Sequence, residues 1–143
     1  MIISIYAALL ALMLVGLSVK VIRARRSVGA ALGDADALLL QRRMRAQANF
    51  TEYTPMFLVL LGLAEMQGLA GWATHTLGFL FLIGRLMHAY SLLHAERYDG
   101  LRLLANPVWR IRGMAITFLC LGVLACILPV QFLQSLGDPY IPG

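Results

Sequence analysis

Residues 45–55 read Arg45-Ala-Gln-Ala-Asn49-Phe-Thr-Glu52-Tyr53-Thr-Pro55, and this stretch decides how the rest of the chain is interpreted. It places a cation, an amide and a carboxylate four and three residues apart, and these spacings stack side chains on one face of a helix. Residues 56–64 are all apolar or glycine and suit the interior of a bilayer. An ionisable group carried into such a helix is costly to bury, and by default it indicates a functional site.

The composition indicates a membrane protein. Of the 143 residues, 60% are hydrophobic and only 13% are charged, whereas soluble domains average about 45–50% apolar and about 25% charged residues. A chain of this length is expected to form one unit, so we treat residues 1–143 as a single membrane domain. We predict an all-α fold, because backbone groups in lipid must find their hydrogen bonds within helices.

Four apolar segments follow one another, and each can cover the roughly 20 residues that cross a bilayer. We place helices at about 2–22, 35–69, 72–95 and 107–134, which gives a four-transmembrane-helix bundle. The first segment lacks the basic leading region and the cleavage pattern of a signal peptide, so we read it as a retained helix. We expect Asp34 to cap the second helix, Pro55 to kink it, and Asn106 with Pro107 to begin the fourth.

The distribution of cations predicts the orientation. All 12 lysines and arginines lie between residues 20 and 45 or between residues 85 and 112. The positive-inside rule therefore places both basic loops in the cytoplasm and both termini outside it. The net charge of +5 is explained as a signal for topology. Because no soluble basic domain is present, we expect no nucleic-acid partner.

The third apolar segment offers a partner for the polar stripe. Counted from the outer turn, Glu52 and Arg85 lie at similar depth, roughly 20 Å from the outer surface at about 1.5 Å per residue. A Glu52–Arg85 contact would offset the cost of burying either charge. The pair could equally serve only to lock two helices together. His88 lies one turn beyond Arg85, and it is either a packing residue or part of the same site.

Other kinds of site are disfavoured. Cys120 and Cys126 are six residues apart in the fourth segment and face different sides, so we expect neither a disulfide nor a metal site. The sequence contains no HExxH motif, nucleophile elbow or phosphate-binding glycine loop. A small multidrug transporter is disfavoured because residues 2–19 carry no carboxylate.

Two blocks resemble the MAPEG superfamily, the membrane-associated proteins in eicosanoid and glutathione metabolism. The first is Arg45-Ala-Gln-x-Asn49-x-x-Glu52-Tyr53-x-Pro55-x-Phe57-Leu58, which is most similar to the leukotriene synthases. The second, Gly84-Arg85-Leu86-Met87-His88, resembles the start of the family's third-helix motif. The resemblance implies a homotrimer of four-helix subunits, like a microsomal glutathione transferase of bacterial type. It also implies that glutathione binds between neighbouring subunits near the cytoplasmic face.

The resemblance also implies residue roles. By motif position, the residues that resemble the family's glutathione-binding set are Arg45, Asn49, Glu52, Tyr53, Arg85 and His88. A family tyrosine one turn past His88 is missing, since position 92 is Leu92, and Tyr90 lies on another helical face. The family activates the glutathione thiol with an arginine near the start of helix four. The long third loop leaves the alignment ambiguous, so we rank Arg112 first, Arg110 second and Arg102 third.

The chemistry of these residues suits glutathione, which carries two carboxylates, an ammonium group and a thiol. Arginine can grip a carboxylate through two hydrogen bonds, Glu52 can take the ammonium group, and a nearby arginine lowers the thiol pKa. We expect a glutathione transferase or peroxidase of a bacterial inner membrane, acting on an apolar electrophile or lipid hydroperoxide that arrives through the membrane lipids. The alternative is a non-catalytic lipid-binding or scaffold member of the superfamily, which need not keep the activating arginine.

Overall fold

The computed structural model describes residues 1–99, 102–104 and 107–136, and within them four α-helices form an antiparallel bundle. The helices are α1 (Ile3–Val28), α2 (Leu38–Met66), α3 (Gly71–Tyr90) and α4 (Val108–Leu136). A π-helical turn, Ser91–Ala95, continues α3. A short antiparallel hairpin of β1 (Tyr98–Asp99) and β2 (Arg102–Leu103) follows it. The predicted all-α class and the four helices are confirmed, and the hairpin is an addition to them.

Among the described residues, three elements have the length and composition of membrane spans: α1, α3 with its π-helical turn, and α4. α2 has 29 residues, as many as α4, but its first half carries the polar stripe. Large apolar side chains face outward on the apolar helices, with Leu12 70% exposed on α1 and Leu119 60% exposed on α4. Soluble proteins rarely expose so many large apolar side chains together, and such a surface is expected where a protein faces lipid.

The first helix is longer than predicted, because the basic residues after residue 22 extend it. Arginine is a good helix former, and Arg25 and Arg26 in the last turn face the negative end of the helix dipole. The helix ends at Gly29, whose φ is +67°. The N–H of Ala30 donates to the carbonyl oxygen of Arg25 at 3.0 Å, which is the usual closure around a left-handed glycine.

The predicted cap of α2 by Asp34 is wrong. The helix begins at Leu38, and Ala37 before it provides no side-chain cap. Asp34 instead accepts a hydrogen bond from the backbone N–H of Asp36 at 3.1 Å, and Ala35 and Asp36 both have a φ of +52°. Aspartate side chains compete in this way for nearby backbone groups and stabilise turns. The loop therefore uses Asp34, and the helix starts later.

Of the two prolines near the site, Pro55 lies within α2 and Pro107 lies just before α4. α2 continues through Pro55 without a break in its bounds, and the kink stays a prediction. Pro107 directly precedes α4, and its carbonyl oxygen accepts the N–H of Ile111 at 3.0 Å. The predicted Asn106 cap lies outside the described residues.

The core joins two helix pairs. α1 packs most extensively on α2 and α3 on α4, while α2 also contacts both α3 and α4. Within the described residues α1 does not contact α4, so α2 and α3 occupy the middle of the bundle. The rings of Phe57 and Phe81 are fully buried between α2 and α3, and they stack with centroids 3.7 Å apart. The residues of the polar stripe thus belong to a central helix.

Two glycines bring α3 and α4 close together. A Cβ atom on Gly113 would lie 2.6 Å from the carbonyl oxygen of Gly84 and 2.8 Å from the backbone nitrogen of His88. Small residues allow helix backbones to approach closely within membranes. This crossing therefore depends on glycine, and it places Arg85 and His88 directly against α4.

We call the end of the bundle where α2 and α4 begin the basic end. Here Arg43 donates to the carbonyl oxygen of Lys20 at 3.0 Å, which joins α2 to α1. Arg42 donates to the carbonyl oxygen of Leu92 at 2.7 Å, which joins α2 to the π-helical turn. Cations that the sequence marks as topology signals thus also connect the elements.

The opposite end, which we call the far end, is closed by contacts to the start of α1. Glu65 accepts hydrogen bonds from the backbone N–H groups of Ile2 and Ile3, the latter at 2.9 Å. The hydroxyl of Tyr6 donates to the carbonyl oxygen of His75 at 3.0 Å. The two contacts of Glu65 satisfy N–H groups at the start of α1 that would otherwise lack partners.

Candidate functional site

A cavity of about 640 Å³ lies at the basic end between α2, the end of α3 and α4. Ligand pockets commonly occupy about 300–1,000 Å³. Its polar wall consists of Arg45, Asn49, Tyr53, His88 and Arg110. Its apolar wall consists of Leu92, Ile111, Met114, Ala115 and Phe118. The cavity therefore combines cations and hydrogen-bonding groups with a surface that suits an apolar molecule.

Behind the polar wall, Arg85 is buried with only 1% of its surface exposed. Its Nη2 donates to Asn49 Oδ1 at 2.6 Å, and its Nη1 donates to the hydroxyl of Thr117 at 3.3 Å. The guanidinium carbon lies 5.8 Å from the ring centre of Tyr53, where a cation and an aromatic face attract. These contacts offset the cost of burying the charge and fix Asn49 and Tyr53.

Asn49 separates the two charges that the sequence pairs directly. Its Oδ1 accepts from Arg85, and its Nδ2 donates to Glu52 Oε2 at 3.5 Å. Within the described part of the chain, no ion pair joins Glu52 to Arg85, so the predicted direct contact is wrong. Asn49 lies almost one helical turn before Glu52 and faces Arg85, which leaves Glu52 exposed.

His88 brings a buried ring to the cavity. It is 3% exposed, and its Nδ1 has no hydrogen-bond partner within the described residues. The same holds for Nε of Arg85, one turn earlier on α3. Buried polar atoms usually have a partner, and His88 lines the cavity. A bound polar molecule could satisfy its ring nitrogen.

The three arginines ranked for thiol activation occupy different places. Arg110 lines the cavity, and its Nη1 forms an ion pair with Glu96 Oε2 at 3.3 Å. Arg112 is exposed and does not line the cavity, since two residues along a helix turn the side chain to another side. Arg102 lies on β2 and is exposed. Of the three, the structure brings only Arg110 together with the polar stripe.

Of the six residues predicted to bind glutathione, four line the cavity: Arg45, Asn49, Tyr53 and His88. Arg85 and Glu52 stand next to Asn49 on either side. The helical spacing of the stripe therefore predicted which of its side chains lie together.

The apolar wall reaches the outer surface of the bundle. Ile111 is 59% exposed and Phe118 is 54% exposed, although both line the cavity. The ring of Phe118 meets the ring of Tyr53 edge to face with centroids 5.6 Å apart. The polar wall of the cavity and the lipid-facing surface therefore meet where α2 packs against α4.

The position of the missing family tyrosine is occupied by a buried leucine. Leu92 is 2% exposed and lines the cavity. Tyr90 is 52% exposed, and its ring faces Trp109 edge to face at 6.2 Å. Tyr90 is thus directed away from the cavity and does not replace the tyrosine, as its helical face predicts.

Sequence reasoning missed several contributors. Thr117 holds Arg85, Gly113 sets the crossing of α3 and α4, and Glu96 pairs with Arg110. Gly84 and Gly113 could have been recognised in the sequence, because small residues in apolar helices often mark close contacts between helices. Thr117 and Glu96 offered none, since their roles depend on how the chain folds back.

These features define an all-α membrane protein with a polar cavity set among lipid-facing helices. The chain belongs to the MAPEG family, whose model matches residues 3–128. It is 37% identical over 121 residues to "Inner membrane protein YecN" of Escherichia coli (strain K12), which covers 85% of each chain. The protein of that name from Escherichia coli O6:H1 (strain CFT073) has the same identity and coverage. The resemblance carried by the two sequence blocks is confirmed.

Proposed function

We propose that this protein is a glutathione transferase of the inner membrane, with peroxidase activity toward apolar hydroperoxides. The single observation that supports this most is the cavity, in which the cations Arg45 and Arg110 face an apolar wall. One surface suits a small anionic thiol and the other an apolar co-substrate. The chain's similarity to proteins named as inner membrane proteins supports the location.

The polar wall provides complementary groups for glutathione. Arg45 is exposed at the edge of the cavity and binds a carboxylate. Glu52 binds the ammonium group, and Asn49, held by Arg85, bonds the peptide. Tyr53 and His88 complete the wall. Glu52 and Arg45 are both exposed in the single subunit, which fits a site completed by a neighbouring copy.

Arg110 is assigned the thiol-activating role in preference to Arg112. It is the one of the two that lines the cavity. A guanidinium beside a thiol stabilises the thiolate, which is the reactive nucleophile. The beginning of α4 adds partial positive charge at the same place.

The reaction then follows ordinary thiolate chemistry. In the transferase reaction, the sulfur forms a bond to an electrophilic carbon, the leaving group departs with its bonding electrons, and the thiol proton goes to water. In the peroxidase reaction, the thiolate attacks one peroxide oxygen and the O–O bond breaks. The alkoxide takes up a proton to give the alcohol. A second glutathione then converts the sulfenic acid to the disulfide and water.

The assembly we propose is a homotrimer that crosses the membrane four times, with both termini outside the cytoplasm. Length and composition mark three spans within the described residues. α2 is as long as α4 and packs in the middle of the bundle, which supports a fourth crossing by this helix. The arginines at the basic end favour the cytoplasmic side.

A non-catalytic lipid-binding role is the second candidate. The observation that favours it is Leu92, which takes a cavity position where the family has a tyrosine. A cavity with fewer polar groups could hold a lipid instead of glutathione.

Turnover separates the two candidates. Purified protein in liposomes should conjugate glutathione to a chlorodinitrobenzene electrophile or reduce cumene hydroperoxide, and the Arg110→Ala variant should lose most of this activity. A wild-type protein that binds lipid but shows neither reaction would favour the second candidate.

A further inference from the structure

A buried carboxylate lies beside the site without belonging to its wall. Glu96 follows the π-helical turn, and its side chain has 0% of its surface exposed. An ionised carboxylate out of water is unfavourable unless charged or hydrogen-bonding groups surround it. The partners of the Glu96 carboxylate therefore indicate the role of this buried residue.

Each carboxylate oxygen has its own partner. The hydroxyl of Ser91 donates to Oε1 at 2.8 Å, and Arg110 Nη1 lies 3.3 Å from Oε2. The main chain around Glu96 is fixed as well, because Arg42 donates to the carbonyl oxygens of Leu92 at 2.7 Å and of Glu96 at 3.1 Å. The carboxylate is thus held on a hydrogen-bonded segment that joins α2, α3 and α4.

The other partner in this ion pair is less constrained. The Arg110 side chain is 34% exposed, and an arginine at the membrane surface gains by extending toward water and headgroups. Within the described residues, Glu96 is its only charged partner. Nη1 lies against the carboxylate while Arg110 also lines the cavity, so the guanidinium stands between the two.

We propose that Glu96 is a positioning residue that holds the Arg110 guanidinium at the cavity. This rests on the proposed function, in which Arg110 stabilises the glutathione thiolate. Glu96 does not contact the thiol. It fixes the cation that does, and Ser91 fixes the carboxylate.

Two opposite effects compete when the carboxylate is neutralised. Loss of the negative charge alone would strengthen the positive potential in the cavity and favour the thiolate. Loss of the anchor lets Arg110 leave the cavity and disfavours the thiolate. The inference requires the second effect to be larger, so the direction of the change distinguishes positioning from simple charge compensation.

The test is a glutathione thiolate titration on the full chain in detergent, followed by ultraviolet absorbance against pH. Glu96→Gln keeps the side-chain size and should raise the midpoint pH of thiolate formation by about one unit, which is an about tenfold lower ratio of thiolate to thiol at a given pH. In an Arg110→Ala background there is no cation to anchor, so the same substitution should no longer lower the thiolate fraction. Glu65→Gln is the matched control, because this carboxylate holds backbone groups at the far end, and it should titrate like the wild type.

The outcomes are separable. If the wild type forms no thiolate, the proposed function fails. If the wild type forms thiolate and Arg110→Ala loses it, but Glu96→Gln titrates like the wild type or forms more thiolate, the positioning role alone is overturned. Should Glu96→Gln not fold, Ser91→Ala decides, since it removes the donor to Oε1 without changing charge. It should shift the midpoint in the same direction by a smaller amount, and an unchanged midpoint would overturn the inference.

Discussion

Arg110 and Arg112 show how much depends on a single helical position. They are two residues apart on α4, but only Arg110 lines the cavity, while Arg112 is exposed elsewhere. Both could anchor a helix at the membrane surface. They differ in whether their charge reaches a bound thiol.

We therefore expect Arg110→Ala to lower turnover at least tenfold, because removing a single hydrogen-bond donor that stabilises charge on a reacting group already costs about 2.7–4 kcal/mol. A tenfold change in rate corresponds to about 1.4 kcal/mol. Arg112 does not line the cavity and loses no contact there, so Arg112→Ala should keep wild-type turnover within about twofold. Steady-state kinetics on both variants in the same liposomes is the measurement. Equal losses in the two variants would contradict the assignment of Arg110.

Arg45 and Arg43 form a second matched pair on α2. Arg45 lines the cavity, whereas Arg43 bonds the carbonyl oxygen of Lys20 outside it. Arg45→Ala should weaken glutathione binding. Losing one partner of a buried charged contact costs about 2–5 kcal/mol, and we expect the low end of this range because the Arg45 side chain is exposed. Arg43→Ala should leave affinity unchanged. Isothermal titration calorimetry measures both, and a similar affinity for the two variants would remove Arg45 from the site.

At the scale of the helices, the crossing of α3 and α4 depends on Gly113. A Cβ atom there would meet the backbone of Gly84 and His88 at less than 3.0 Å. Gly113→Ala should force the helices apart and destabilise the protein by about 1–3 kcal/mol, as overpacking does. Gly122→Ala on the same helix has nothing within 4 Å of the new atom and is the control. Thermal unfolding in detergent should show a loss for the first variant only.

The helices also show where sequence reasoning succeeds and where it stops. The stripe from Arg45 to Tyr53 was predicted because helical spacing alone places its members together. The Asp34 cap was wrong because its side chain bonds Asp36 in a turn, and local spacing does not distinguish the two uses of an aspartate. The choice between Arg110 and Arg112 required the rotation of α4 against α3, which Gly84 and Gly113 set. The Glu96 contact required the path of the chain after α3.

At the scale of the whole molecule, the bundle separates a basic end from a far end that is anchored by Glu65. We expect a homotrimer with the basic end in the cytoplasm. Native mass spectrometry in detergent should give three copies, and a spectrum with monomers alone would contradict this.

For orientation, single cysteines at Gln67 and Arg26 in a variant lacking Cys120 and Cys126 should react oppositely with an impermeant maleimide. Gln67→Cys should be labelled in intact spheroplasts and Arg26→Cys only after lysis.

The whole molecule is proposed to bring a glutathione thiolate to an apolar partner, and one titration tests this most directly. Wild-type protein is mixed with glutathione over a pH series, and the thiolate absorbance is compared with that of S-methylglutathione, which has no ionisable thiol. A free thiol ionises near 8.5, so saturable thiolate formation at or below about pH 7, at one thiolate per site, is the predicted result. No thiolate beyond that of free glutathione at the same pH, despite a folded protein, would contradict the central claim.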